Sequence, residues 1–102
     1  MLERLTVASF TPTVGEVYAL VDEEHGRLPL ELVEARTHAP DAPPADAAGL
    51  RAPFSLVFRG PREPLLPQRI QRLEHDALGP LEIFLVPVGR DEAGTRYEAV
   101  FG

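Results

Sequence analysis

Two histidines are the side chains of this sequence best placed to start chemistry. His75 stands between Glu74 and Asp76, and His25 follows Glu23 and Glu24. An imidazole beside carboxylates can act as a general base or begin a metal site. Joined to Ser55 and to an acid such as Asp76 or Glu98, His75 would complete a nucleophile, base and orienter. The spacing argues against that triad. Ser55 lies within Phe54-Ser55-Leu56 and not in a G-x-S-x-G elbow, and no oxyanion loop accompanies it. We expect it to be a hydrogen-bonding serine on a solvent-facing strand. Consecutive residues of a strand point to opposite faces, so Glu74 and His75 would not share an ion. Neither acid–histidine cluster repeats at ligand spacing. The absence of cysteine removes disulfides, thiolate zinc sites, iron–sulfur clusters and cysteine nucleophiles together. The expectation is no catalytic residue, no metal and no cofactor.

The other chemical feature is charge. Between residues 59 and 72 stand four arginines, Arg59, Arg62, Arg69 and Arg72, against the single acid Glu63. Arginine forks pair carboxylates bidentately, so this stretch is the best candidate binding surface. It lacks the glycine loop of a phosphate site and the stacking aromatics of a nucleic-acid site. An acidic protein surface, such as the N-terminal half of another copy, needs only complementary charge. That half is the acidic one: residues 1–51 carry nine acids and four arginines, against seven and six in residues 52–102. The net charge of −6 supplies no general basic footprint, so nucleic acid is not expected as a partner.

These residues need a scaffold, and 102 residues suffice for one domain, 1–102, with its own core. Apolar residues at 44% and charged residues at 25% are ordinary globular usage. No apolar run approaches the roughly 20 residues of a membrane helix. The opening MLERLTVASF has no basic segment leading into an apolar stretch and cleavage site, so no membrane association and a cytoplasmic location are expected.

Eleven prolines and eight glycines punctuate the chain and leave short apolar segments between them, a pattern that favours strands over long helices. Leu2 to Phe10 reads as a helix-like lead-in that packs across one end of a sheet. Strands are predicted at Glu16 to Asp22 and at Leu28 to Arg36, joined by the polar hairpin-length connector Asp22 to Gly26. In the second, Leu28, Leu30, Leu32 and Glu34 share a parity. Residues 37–53, rich in alanine and proline, are expected to be a mobile loop. Phe54 to Arg59 alternates cleanly, Gln68 to Glu74 less so, with Ile70 and Leu73 suggesting a bulge. Leu81 to Val88 is the most apolar segment, and Tyr97 to Phe101 closes the series. Six short strands with no room for a crossover helix predict a mainly β fold, a small antiparallel barrel or two-layer sandwich. Phe10, Phe54, Phe58, Phe84 and Phe101 are the expected core aromatics.

The ordered segments PFSLVFRGP (53–61), LPQ (66–68), LEH (73–75), LG (78–79), FLVPVG (84–89) and YEAVF (97–101), with the opening LTVASFTPTVGEVY, resemble a family of bacterial proteins known only as a domain of unknown function. The resemblance covers nearly the whole chain and departs from it in the lengthened Ala/Pro stretch from Thr37 to Ala52. It implies no activity. It does imply an association with phage-tail-collar-like proteins, and it singles out Gly60, Gln68, His75 and Tyr97 as positions within shared segments.

Together these readings predict a non-enzymatic interaction or assembly module, with a protein partner or a homo-oligomer. Its contact surfaces would be the Arg59 to Arg72 face and an exposed strand edge, and its setting an adaptor or accessory subunit of a tail-like or fibre assembly. The second reading is a small-ligand-binding β-barrel whose open end holds a molecule near His75 and Tyr97.

Overall fold

The structure, a computed structural model, describes residues 5–37 and 53–101. The expected Ala/Pro loop therefore lies, over residues 38–52, outside the described residues. A short helix, α1 (Val7–Phe10), runs into a 3-10 turn over Thr11–Thr13. The Ser9 hydroxyl accepts the Thr6 N–H at 3.1 Å and so closes the start of α1. Pro12 fits the first turn of the 3-10 segment, where a missing N–H costs nothing.

Six strands follow: β1 (Val17–Asp22), β2 (Gly26–Thr37), β3 (Phe54–Gly60), β4 (Arg69–His75), β5 (Gly79–Asp91) and β6 (Gly94–Phe101). They are all antiparallel and close into a barrel in the order β1-β2-β3-β6-β5-β4, with β4 returning to pair with β1. Of the two architectures left open by the sequence, the barrel is the one adopted.

Closure depends on the two longest strands. β2 pairs with β1 from Gly26 to Glu31 and with β3 from Glu31 to Thr37. β5 likewise pairs with β4 up to Leu85 and with β6 from Val86 onward. Each is interrupted by a register shift, at Val33 and at Val88. An extra residue bends a strand and sharpens its twist, which lets one strand serve both layers.

The bulges fall where alternation could not reveal them. β4, in which Ile70 and Leu73 suggested one, pairs regularly with β5 through all its residues. Leu73 and Gln71 face in, so Ile70, three residues from Leu73, must face out. In β2 the extra residue Val33 shifts the inward parity, and Glu34 pairs outside with Arg36 instead of joining the Leu28 to Leu32 row.

The barrel interior holds Tyr18, Leu20, Leu30, Leu32, Leu56, Phe58, Leu73, Ile83, Leu85 and Tyr97, all essentially inaccessible. Each such side chain contributes about 1.5–3 kcal/mol by burial. One end is plugged by aromatics. Phe54 and Phe101 stack with centroids 4.6 Å apart, and Phe10 packs 5.9 Å from each. Over its described residues the predicted lead-in thus packs across a barrel end, with Phe10 as its anchor. Phe84 is the exception among the five phenylalanines: it lies on the outer face, not in the core.

Candidate functional site

The four arginines do not form one positive face. Arg59, on the outer face of β3, donates from Nη2 to Glu31 Oε1 at 2.9 Å across the β2–β3 ladder. Arg69 stands at the start of β4 and reaches the β1–β2 turn, where Nη2 donates to Asp22 Oδ1 at 2.9 Å. Arg72 lies on the outer face of β4, 3.5 Å from Glu74. Arg62 is exposed in the connector between β3 and β4, and its carbonyl accepts from Arg90 and Thr95. Acids of the N-terminal half meet two of these arginines, Arg59 and Arg69, within one chain. Gln68 is exposed just before β4.

Asp22 is the most heavily bonded carboxylate among the described residues. It ends β1 with its side chain buried, and accepts from the His25 ring, the His25 amide and Arg69. The hydrogen bond from His25 in particular holds its carboxyl below the usual carboxylate range. His25 is thus a turn residue bound to Asp22.

His75 ends β4 with a side chain only 6% exposed. Its Nδ1 accepts the amides of Ala77 at 3.0 Å and Leu78 at 3.3 Å, which shapes the β4–β5 turn. With Nδ1 occupied as an acceptor, the ring is assigned as the Nε2–H tautomer, donating to Glu16 Oε1 at 2.7 Å. Both nitrogens are therefore committed to structural bonds. Ser55 is far from this arrangement in topology: β3 and β4 are not neighbours, and Ser55 occupies the face of β3 opposite Phe54 and Leu56. It is also buried, not solvent-facing. Glu74 points away from His75 and binds Arg27 at 3.0 Å, as opposed strand faces require. Among the described residues no group of three or more His, Asp or Glu could hold a metal ion.

The tyrosine beside His75 is Tyr18, with ring centroids 4.6 Å apart, and not Tyr97. The Tyr18 hydroxyl donates to Thr13 Oγ1, whose own proton goes to the Phe10 carbonyl, both at 2.7 Å. Burial pushes the Tyr18 phenol above its ordinary value, and the nearby Glu16 charge adds to this. Tyr97 is buried within the barrel, where its hydroxyl accepts the Leu66 amide at 3.1 Å. An open hollow of about 480 Å³ flanks His75 on the barrel wall, lined also by Tyr18, Ala19, Pro29 and Pro80, and Tyr97 is not part of its lining.

A different surface stands out. Ile70 is 64% exposed, Phe84 48% and Val100 67%. Ile70 lies directly opposite Phe84 on the β4–β5 ladder, and both line, with Val100, a groove of about 250 Å³. The β5–β6 ladder begins only at Val86 opposite Glu98, so beside this groove the strands β5 and β6 are not hydrogen-bonded partners. Three large apolar side chains on three successive strands form one contiguous strip. The other exposed large apolar side chains among the described residues lie apart from it, Val14 and Leu65 in connectors, Val17 at the start of β1 and Val88 at the β5 bulge.

Comparison with known proteins bears on what this barrel is. The chain matches, over residues 5–101, the family described as Domain of unknown function (DUF6916). It belongs to that family. No curated protein matches it, and no solved structure does. Membership of DUF6916 carries no activity with it, so the surface geometry has to speak for function. No helix among the described residues is long and apolar enough to cross a membrane.

The strip of this DUF6916 chain escaped the sequence reading for a definite reason. Ile70 and Phe84 are strongly apolar, and apolar strand residues are assigned to the core unless the parity of their neighbours forbids it. The signal was present in Arg69 to Leu73, where the spacing of Ile70 and Leu73 allows only one of them to face in.

Proposed function

We propose that this DUF6916 protein is a non-enzymatic interaction module that docks through the outer face of β4, β5 and β6. The observation that carries the reading is the exposed strip Ile70, Phe84 and Val100. Large apolar side chains gathered on an otherwise charged surface cost solubility, and they are retained at docking sites, where desolvating them supplies affinity. The commitment of both His75 nitrogens and the separation of Ser55 from His75 support a non-catalytic role. Within this reading, an adaptor or accessory role in a tail-like or fibre assembly is the setting suggested by the family resemblance to proteins associated with phage-tail-collar-like partners.

The test is affinity purification of tagged wild-type protein from its own host, in parallel with Phe84→Asp. The expected outcome is a partner recovered with the wild type and absent with the variant. Recovery of the same proteins by both would overturn the strip as the docking surface.

A further inference from the structure

We propose that the occupant of this strip is a second copy of the same chain, set face to face about a two-fold axis. This inference rests on the reading of the strip as a docking surface and names its partner.

Phe84 lies at the centre of the strip on β5, with Ile70 on β4 to one side and Val100 on β6 to the other. Two β-branched side chains of similar size thus flank one aromatic ring. A two-fold axis in the plane of the contact that passes through Phe84 brings the two Phe84 rings together, with the β-branched side chains packed around them.

The charges set the direction of that axis. Two residues to one side of Phe84 on β5 is Glu82, whose ladder partner on β4 is Arg72. Two residues to the other side is Val86, whose ladder partner on β6 is Glu98. Arg72 and Glu98 therefore stand at opposite corners of the strip. The two-fold that crosses the strands of the two copies sets each Arg72 over the other copy's Glu98, making two ion pairs at once. Arg72 can turn to that task, because its contact with Glu74 is 3.5 Å long and its own side chain is exposed. A chain of net charge −6 repels its own copies, so a self-contact needs a face where opposite charges are matched in this way. The strip is small, which places the dimer in the weak, micromolar class.

Analytical ultracentrifugation of the full chain from about 10 μM to about 1 mM tests this. The wild type should show a reversible monomer–dimer equilibrium, and Phe84→Asp should weaken it by at least about tenfold. Arg72→Glu and Glu98→Arg should each weaken it separately, by placing like charges together. An equal mixture of these two variants should regain the dimer, because each heterodimer then carries two opposite-charge pairs. That recovery cannot come from an unfolded variant. A wild type that stays monomeric up to about 1 mM, a dimer untouched by Phe84→Asp, or a mixture no more associated than its components would each overturn the two-fold pairing. A monomeric wild type that still captures a partner in a Phe84-dependent way would overturn the self-pairing and leave the docking surface standing.

Discussion

His75 and Glu16, 59 residues apart in the chain, are joined by a 2.7 Å hydrogen bond from the imidazole Nε2–H to the carboxylate. The same ring receives two amides of the β4–β5 turn, so it ties the entrance of β1 to the exit of β4. Its place is that of a brace. His75→Ala should lower the unfolding free energy by about 1–3 kcal/mol, since three hydrogen bonds go and solvent restores part of them. Urea denaturation followed by circular dichroism measures this. A loss under about 0.5 kcal/mol would contradict the bracing role.

Gly94 opens β6 against the end of β3. A Cβ at this position would run into the Gly60 carbonyl, and the φ of +138° is one that side chains other than glycine rarely adopt. Gly94→Ala should therefore cost at least about 2 kcal/mol, since backbone must move to admit the methyl. Gly26 also has a positive φ, +74°, but open space around it. Gly26→Ala should cost only about 1 kcal/mol. Thermal melting of the two variants side by side checks the difference, and equal costs would refute the steric account.

Asp22 predicts the acid limb of stability. His25 first, then Arg69, hold its folded-state carboxyl below the unfolded value of about 3.9. Folding is thus favoured by the ionised form. The contribution is fully present above about pH 4 and is lost as pH falls through the lower folded value. Asp22→Asn should flatten the stability profile in that window, read as urea midpoints between about pH 5 and pH 2. A profile as steep as that of the wild type would count against the assignment.

Phe58 on β3 and Phe84 on β5 sit in opposite environments of one barrel. Phe58 is buried, with its ring 5.2 Å from Tyr18 in an edge-to-face contact, while Phe84 faces outward. Phe58→Ala should cost about 3–5 kcal/mol. Phe84→Ala should cost under about 1 kcal/mol in the monomer. Chemical denaturation at low protein concentration separates the two, and a large loss from Phe84→Ala would mean that the ring is needed for folding.

Much of this architecture was legible in local pattern. In Phe54 to Arg59 every second residue is apolar, and the period of two is a property of the extended backbone itself. The Asp22 to Gly26 connector and Gly79 mark hairpin ends because the turn geometry requires a left-handed residue, which glycine accepts. Strand number, antiparallel pairing and an N-terminal helical segment follow from such local preferences. Tertiary structure decided which face of each strand is inside. Inward parity belongs to a pair of strands in register, so one extra residue, Val33 or Val88, reverses it without any mark in composition. Closure of β1 on β4 decided that Gln71 is buried while Ile70 and Phe84 are not, and chain crossing decided that Arg59 and Arg69 find their acids at Glu31 and Asp22. Those outcomes depend on contacts between residues distant in the chain, and no short-range preference encodes them.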